Sequence, residues 1–304
     1  MVPNGVTNIG YKAFSGCSNL ANLTIPFVGN GVNKNYLGYI FGASSYSENS
    51  KYIPNTLKEV IITGDTNIET AAFYGCGNLT SIAILNSINS IGNLAFYGCC
   101  SLTDIEIPSN ITNIGDSAFY NCSNLTSIEI PNGVTNIGCW AFYGCSSLIN
   151  IEIPNSVTSI GSYAFWGNQL TSVTIPNSVK NIGDYAFGKS NSSNPNLIKI
   201  INETDNAFDW RKIVNYGSGY KFKGGIIKDY YYLGDVEVVY KNATKPTYGM
   251  KATEYITNLL EYDGEGLKID NTEDENIRYY GSDPNNYVRF NNELWRIIGV
   301  FGEN

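Results

Sequence analysis

The chain has 304 residues, a hydrophobic content of 43 % and a net charge of −8, so it is long enough to bury a substantial core. Its acidic balance, without any run of lysine or arginine, argues against a nucleic-acid partner or an anionic membrane surface. The sequence contains no histidine, the commonest general base and zinc ligand, so we expect no enzyme, no metal site and no cofactor. No apolar stretch approaches about 18 residues, and we expect no membrane insertion within this chain.

An Ala-Phe dipeptide recurs through the first two thirds of the chain. Successive copies lie 23 residues apart, and the last follows after 22: Phe73, Phe96, Phe119, Phe142, Phe165 and Phe187. Phe14 opens the series, and an insertion at residues 27–56 separates it from Phe73, leaving one degenerate copy at residues 39–42. A fixed period of this size is typical of a solenoid, in which each repeat forms one rung of a stack. We therefore predict about eight rungs over residues 1–205.

Residues 125–147 show how one repeat builds one rung. Residues 127–130 alternate polar and apolar side chains, with the β-branched Ile128 and Ile130 facing inward, which predicts a half-buried strand. Pro131 ends this strand, and the apolar residues that follow fill the core: Val134, Ile137, Ala141, Phe142 and Cys145. One rung cannot bury its apolar edge alone, so we expect equivalent strands to pair in parallel about 4.8 Å apart. The predicted fold is a β-rich repeat solenoid with few helices.

The consensus L-x-x-I-x-I-P-x-x-V-x-x-I-G-x-x-A-F-x-G-C-x-x resembles the BspA-type (treponemal) leucine-rich repeat. Seven in-register copies carry the resemblance, which covers about residues 1–205. The resemblance implies a leucine-rich-repeat horseshoe of the kind found in bacterial and protist surface proteins, some of which are adhesins that bind host or extracellular-matrix proteins. It therefore implies an extracellular or cell-surface location and a protein or glycan partner.

Stacking converts each repeat position into a column, and one column is acidic. The outward position of the predicted strand carries Glu106, Glu129 and Glu152 in three successive rungs, and Asp104 lies two residues before the first of them. Glutamates at the spacing of neighbouring rungs repel each other by about 1 kcal/mol in water, and a cationic ligand would relieve that cost. We call these four residues the acidic strand face and regard it as a candidate binding surface. The alternative is a solvated polar face diluted by asparagine and serine.

A second candidate is the column directly after the core phenylalanine. We call it the aromatic column: Tyr74, Tyr97, Tyr120, Tyr143 and Trp166. If the phenylalanine points inward, its neighbour is expected to point outward, where flat rings with polar tips could bind a protein or a sugar. The alternative is that the rings stack on one another and shield the edges of the rungs.

Cysteine recurs three residues after the core phenylalanine, at Cys17, Cys76, Cys99, Cys122 and Cys145. Recurrence at one inward position predicts small buried side chains with free thiols. Cys100 and Cys139 lie outside this column at different corners of the rung, so we expect no bridge between them. The sequence has no C-x-x-C pair, which gives no support to a zinc site.

The insertion and the tail depart from the repeat. Residues 27–56 are polar and glycine-rich, which predicts an excursion loop that either decorates the binding side or is a tolerated surface loop. Residues 197–201 read as a last strand and residues 206–230 as a cap or linker. Beyond them, residues 236–240 predict a strand, residues 252–261 a helix, and residues 287–290 and 294–301 a hairpin.

Residues 283–300 resemble the opening of a poorly characterised module in surface proteins of gut Firmicutes. We therefore expect residues 231–304 to be the first part of a larger α+β module. The first residues read as the middle of a repeat, and no signal peptide is evident, so we also expect a truncated start.

Three functional hypotheses remain open at this point. The first is a non-catalytic, adhesin-like binding protein that recognises protein or glycan through the solenoid surface. The second is a structural spacer that displays the following C-terminal domain and binds nothing itself. The third places an enzyme in the part of the protein that would follow residue 304.

Overall fold

The computed structural model describes residues 1–30, 35–64, 67–85, 88–188, 199–204, 206, 208 and 213–214, together with the backbone of short strands after residue 225. The described repeats form a parallel-strand β-solenoid of about six regular turns with almost no helix. This confirms the predicted fold class. The strands of the solenoid are β1 (Asn22–Ile25), β2 (Glu59–Ile62), β3 (Ser81–Ile84), β4 (Ser90–Ile91), β5 (Asp104–Ile105), β6 (Asn113–Ile114), β7 (Asn136–Ile137), β8 (Ser159–Ile160), β9 (Ser172–Ile175), β10 (Asn181–Ile182) and β11 (Lys199–Asn202).

Two parallel sheets run along the solenoid. The first has the order β1-β2-β3-β5, and its residues pair with the equivalent residues of the next rung, as Leu23 does with Val60. The second has the order β10-β8-β7-β6-β4 and consists of two-residue strands centred on the Ser-Ile or Asn-Ile step of each repeat. We did not predict this second sheet, because a two-residue strand is too short to show a period in the sequence.

The Ala-Phe segments form a third ladder of backbone hydrogen bonds. The amide of Phe96 donates to the carbonyl of Ala118 at 2.7 Å, and the amide of Phe119 donates to Ala141 at the same distance. On the second sheet the direction is opposite, since the amide of Gly138 donates to Ile114 in the preceding rung at 2.9 Å. Each rung therefore donates backbone hydrogen bonds to the following rung through its Ala-Phe segment and to the preceding rung through its second strand.

Six core phenylalanines, from Phe73 to Phe187, form a continuous stack inside the solenoid. Their ring centroids lie 5.0–5.4 Å apart with interplanar angles of 2–16°. The five rings from Phe73 to Phe165 are among the largest fully buried side chains of the described residues. Isoleucine, leucine and valine from every rung surround the stack and complete one continuous core.

The predicted strands at residues 127–130 and 150–153 are wrong in one respect. Their side chains alternate as expected, with Ile128, Ile130, Ile151 and Ile153 buried, but neither segment is a strand. Ladder pairing on this side stops at β5 and resumes between β9 and β11. Alternation predicts which side chains are buried, whereas ladder pairing also requires adjacent backbones to approach within hydrogen-bonding distance.

The insertion is only partly an excursion. It contains two short 3₁₀ helices, Leu37–Phe41 and Tyr46–Glu48, and the single helical turn α1, Asn49–Tyr52. The first 3₁₀ helix continues the stack as the degenerate copy, because the amide of Phe14 donates to Ile40 at 2.8 Å and the ring of Phe41 lies 6.0 Å from that of Phe14. The side chain of Asn49 is fully buried, accepts from the amide of Gly38 and donates to the carbonyl of Tyr74, both at 2.9 Å.

At the other end, Ile213 and Val214 are buried against the core, and the amide of Phe187 donates to Ile213 at 3.1 Å. The partly buried Phe208, in the segment that we predicted as a cap or linker, also packs against the core. Strand β11 confirms the predicted last strand. Its next neighbour in the sheet is β14, which pairs with it in parallel, so the sheet continues beyond the repeats.

The strands after residue 225 are β12 (Ile226–Ile227), β13 (Tyr230–Leu233), β14 (Val236–Tyr240), β15 (Leu267–Ile269), β16 (Ile277–Tyr279), β17 (Tyr287–Phe290) and β18 (Glu293–Arg296). Strand β14 and the antiparallel β17-β18 hairpin were both predicted. The helix predicted at residues 252–261 lies outside the described residues. The division of the chain at residues 205 and 230 stays a prediction.

The rung of Phe165 carries a polar residue where the four preceding rungs carry a buried cysteine. Asn168 occupies this position and is 7 % exposed, and neither polar atom of its side chain has a hydrogen-bond partner within the described residues. A buried amide without partners costs about 1–3 kcal/mol. We therefore expect Asn168→Cys to raise the free energy of unfolding by about 1–2 kcal/mol, measured by chemical denaturation.

The matched control is Asn132→Cys, at an exposed asparagine, for which we expect a change of less than about 0.5 kcal/mol. A destabilised Asn168→Cys variant would mean that the amide is satisfied in solution by groups that the described residues do not provide.

Candidate binding surfaces

The acidic strand face lies on the outside of the solenoid. Glu106, Glu129 and Glu152 are exposed, and each lies between two buried isoleucines that anchor its rung to the core. Asp104, at the start of β5, is also exposed. The structure therefore places all four carboxylates in solvent on one side, at the rung of β5 and the two following rungs, in which the strand ladder is interrupted. A role in binding stays a prediction.

The charged side chains around this face are all acidic over a long segment of the sequence. Residues 59–179 contain eight aspartates and glutamates and no lysine, arginine or histidine. The nearest basic residues in the sequence are Lys58 and Lys180, at opposite ends of this segment. Five successive rungs thus have no cationic side chain of their own to neutralise their carboxylates, so their field is available to a cationic ligand.

The aromatic column is half-buried, and its tyrosine rings lie face to face. The centroids of Tyr74, Tyr97, Tyr120 and Tyr143 are 4.6–4.7 Å apart, with interplanar angles of 2–6°. Tyr46, from the insertion, packs edge-on against Tyr74 at 5.2 Å and covers the first ring of the stack. Ring faces that contact each other are not available to a ligand, so this part of the column presents only ring edges and hydroxyls.

Burial of these rings changes their acidity. Desolvation raises the pKa of the Tyr120 hydroxyl, and the neighbouring hydroxyls of Tyr143 and Tyr97 raise it further. The same causes raise the pKa of Tyr74, with Tyr97 and Tyr46 as its neighbours. The hydroxyls therefore remain protonated near neutral pH and can donate hydrogen bonds.

A second column, in which three of the six residues are aromatic, lies beside the first and was not predicted from the sequence. It occupies the position two residues before the core phenylalanine: Ala71, Leu94, Ser117, Trp140, Tyr163 and Tyr185. We call it the outer column. The ring of Trp140 stacks on that of Tyr163 with a centroid distance of 5.8 Å, and Tyr163 stacks on Tyr185 at 4.7 Å. Trp166, the last residue of the aromatic column, contacts the rings of Tyr163 and Tyr185. The six members of the outer column differ in chemistry, and only their shared position would have revealed the column.

All seven thiols are free, as predicted, and the cysteine column is buried from Cys76 to Cys145. The predicted burial is wrong for Cys17, which is exposed in the first rung. The thiol of Cys122 donates to the carbonyl of Phe96 in the preceding rung at 3.2 Å. Burial raises the pKa of the Cys145 thiol from 9.0 to about 12, and it raises the pKa of Cys76, Cys99 and Cys122 well above the ordinary range. The four thiols are therefore inert structural groups.

These thiols make stability depend on pH on the alkaline side. An unfolded thiol ionises above pH 9, whereas the buried thiol of Cys145 stays protonated until about pH 12, so alkali favours the unfolded chain. We expect the free energy of unfolding to be unaffected by these thiols below pH 9 and to fall as the pH rises from 9 towards 12. The measurement is denaturant unfolding of the wild-type chain and of Cys145→Ala at several pH values.

The free energy of unfolding should fall less steeply with pH in Cys145→Ala than in the wild type, because one ionising group has been removed from the unfolded chain. Identical slopes in the two proteins would contradict a raised thiol pKa.

No group of three or more potential metal-ligating side chains occurs among the described residues. In the same part of the chain, no helix is long and apolar enough to cross a bilayer.

The family model for the BspA type leucine rich repeat region matches in six copies, over residues 1–60 and 66–194. These residues make up more than half of the chain and include every rung of both candidate surfaces. The chain belongs to the BspA-type leucine-rich-repeat family. No functionally curated protein matches it.

Several solved bacterial proteins are similar to this BspA-type chain. A leucine rich cell surface protein from Faecalibacterium prausnitzii A2-165 is 30 % identical, over 71 % of this chain and 52 % of its own, with a TM-score of 0.49. The leucine rich repeat protein of T. pallidum is 29 % identical, over 47 % of this chain and 72 % of its own, with a TM-score of 0.37. A leucine-rich repeat protein from Bacteroides ovatus ATCC 8483 is 22 % identical, over 60 % and 64 %, with a TM-score of 0.34.

This BspA-type chain spans about half the length of the F. prausnitzii protein. Proteins of the family are found at the cell surface, and leucine-rich-repeat proteins generally bind other proteins.

Proposed function

We propose that this chain is the non-catalytic, adhesin-like binding region of an extracellular or cell-surface protein, and that it binds a protein or glycan through the acidic strand face. The observation that carries the proposal is the exposed row of Glu106, Glu129 and Glu152 in three successive rungs. The side chains of a solenoid column are held at a fixed spacing, so a ligand meets a preorganised row of charges.

The surrounding charge favours a basic partner surface. The cation-free segment at residues 59–179 gives the row no internal counter-charge. A partner that supplies lysine or arginine would relieve the repulsion between adjacent glutamates and would be attracted from a distance. Specific recognition would then depend on a few of these contacts and not on the total area of the face.

The aromatic column contributes less to the proposed binding surface than its content of aromatic residues predicts. Its tyrosine rings use their faces to stabilise one another, so a ligand could reach only the hydroxyls and ring edges of Tyr74, Tyr97, Tyr120 and Tyr143. Trp166 lies outside this stack and belongs to the aromatic cluster around Tyr163. We retain these five residues as a secondary part of the proposed binding surface.

A structural spacer is the second candidate function. The continuation of the solenoid sheet from β11 into β14 favours it, because a parallel strand pair couples the repeats directly to the chain that follows. A rigid solenoid of stacked rungs would hold a following domain away from the cell without binding a ligand itself.

The test compares three forms of the whole chain on an array of extracellular-matrix proteins and glycans. The first is the wild type, and the second carries Glu106→Gln, Glu129→Gln and Glu152→Gln. The third is a matched control that removes three charges elsewhere, through Glu48→Gln, Glu69→Gln and Asp184→Asn. We expect the second form to bind at least about tenfold more weakly than the wild type, and the control to bind normally.

Equal binding by the wild type and the Glu106/Glu129/Glu152 variant would exclude the acidic strand face as the binding surface. Failure of all three forms to bind any array component would favour the spacer function.

A further inference from the structure

The outer column has a regular geometry that one rung interrupts. From Ala71 to Tyr185 every member has a positive φ, between 53° and 61°, so all of these side chains leave their rungs in the same direction. Where the residues are aromatic they stack, from Trp140 through Tyr163 to Tyr185. A ring at any position of this column therefore lies parallel to the ring of the next rung.

The stack stops at Ser117. Its short side chain stands between Leu94 in the preceding rung and Trp140 in the following one, and two rungs separate these neighbours by about 9–10 Å. One face of the Trp140 ring is covered by Tyr163, and the other faces the rung of Ser117. Trp140 is 42 % exposed, the largest exposure of any tryptophan among the described residues. We call the space between Leu94 and Trp140, where the column lacks a ring, the slot; its height of two rungs matches what one planar group needs.

A carboxylate lies at the edge of this slot. Asp116 directly precedes Ser117 and is exposed, and its Oδ1 accepts a hydrogen bond of 2.8 Å from the amide of Cys139, the residue before Trp140. Its own amide donates to Oδ1 of Asn93, also at 2.8 Å. These two bonds fix Asp116 between the rungs that form the slot, in a segment with no basic residue.

We propose that the slot between Leu94 and Trp140 binds the guanidinium group of an arginine side chain from a partner protein, with Asp116 as the counter-charge. A guanidinium is planar and always charged, and it stacks on aromatic faces, of which tryptophan binds cations best. A lysine ammonium has no flat face to fill the slot, and a neutral sugar, although its hydroxyls can donate to the carboxylate, would leave the charge of Asp116 unneutralised. The inference rests on the proposed binding function, because it assumes that the partner is a protein with basic side chains.

The experiment uses the whole chain and a small probe, so it does not depend on finding the natural partner. N-acetyl-arginine amide is titrated while the NMR signal of the Trp140 indole N–H is observed, and N-acetyl-citrulline amide serves as the planar, uncharged control. Trp140→Phe assigns the signal. We expect arginine to bind with a Kd in the millimolar range and citrulline to bind at least about tenfold more weakly.

Three variants test the geometry. Ser117→Tyr completes the stack and should abolish binding, and it should fold because Tyr163 and Tyr185 occupy the same position with φ values of 57° and 61°. Asp116→Asn keeps the Oδ1 acceptor for Cys139 and should weaken binding about tenfold. Asp184→Asn removes a charge from the equivalent position of a distant rung and should have no effect. Should Ser117→Tyr fail to fold, Trp140→Leu removes the aromatic wall instead, as Leu94 occupies the same position with a φ of 59°.

Several results would overturn the proposal. These are equal binding of arginine and citrulline, binding that survives Ser117→Tyr or Trp140→Leu, and no response of Trp140 to arginine at any accessible concentration. A response to methyl glycosides without a response to arginine would also overturn it and would assign the slot to a sugar. Equal array binding by the wild type and the Glu106/Glu129/Glu152 variant, which would exclude the acidic strand face, leaves this titration unaffected, so the two proposals fail separately.

Discussion

Replacement of Phe119 by alanine is expected to lower the free energy of unfolding by about 3–5 kcal/mol. Phe119 is fully buried, and its ring stacks on Phe96 at 5.0 Å and on Phe142 at 5.1 Å. The ring therefore contributes to its own rung and to both interfaces with its neighbours. In a solenoid, where each rung contacts only the adjacent rungs, removing it weakens both of these interfaces at once. Chemical denaturation followed by circular dichroism measures the change.

Phe14→Ala is the matched control for this prediction. Phe14 occupies the same repeat position in the first rung, but it is only partly buried, and it meets one ring, Phe41, at 6.0 Å. We expect a loss below about 2 kcal/mol there. A similar loss in both variants would mean that stacking between rungs does not stabilise the solenoid more than ordinary burial does.

Replacement of Gly138 by alanine is expected to cost about 3 kcal/mol or more, although it adds a single methyl group. A β-carbon at this position would lie 2.6 Å from the carbonyl carbon of Gly115 and 2.7 Å from the amide nitrogen of Asp116. Both are backbone atoms of the preceding rung, so no side-chain rearrangement can make room. The rungs would have to separate, and the hydrogen bond of 2.9 Å between Gly138 and Ile114 would be weakened.

Gly10→Ala provides a control at the same repeat position. Gly10 lies in the first rung, and nothing lies within 4 Å of a β-carbon built there. We expect a change of less than about 1 kcal/mol, in either direction. A tolerated Gly138→Ala substitution, with a normal free energy of unfolding, would contradict the close approach of the rungs.

The period of the Ala-Phe dipeptide was sufficient to predict the solenoid, the stacked core and the buried cysteine column. Each of these features depends on a side chain that recurs at a fixed spacing, and equivalent positions of a repeat must stack when the repeats do. The glycine after the isoleucine of each repeat recurs as well, but its cause was not visible. The structure supplies the cause, because a β-carbon at Gly138 would collide with backbone atoms of the preceding rung.

The features that were missed depend on distances between backbones. Residues 127–130 have the alternation of a strand but no ladder, and the two-residue strand β7 has a ladder but no alternation. The insertion was interpreted as polar and exposed, yet Asn49 is buried because its amide bridges Gly38 and Tyr74. A polar residue whose hydrogen bonds are all satisfied inside the fold cannot be distinguished from a surface residue in one sequence.

The candidate surfaces were predicted unequally. The carboxylates of the acidic strand face are exposed because alternation reliably separates inward from outward side chains. The aromatic column was placed correctly along the chain, but its tyrosine faces are covered by stacking, which depends on the spacing of the rungs. The outer column escaped notice because its members, from Ala71 to Tyr185, share a backbone conformation and not a residue type.

Hydrogen–deuterium exchange of the whole chain, with and without the strongest binder from the array, tests the proposed binding surface most directly. We predict that exchange slows in residues 104–107, 127–130 and 150–153, which carry the exposed carboxylates. Protection confined to the Ala-Phe ladder at residues 95–98, 118–121 and 141–144, or no protection within the solenoid, would contradict binding through the acidic strand face.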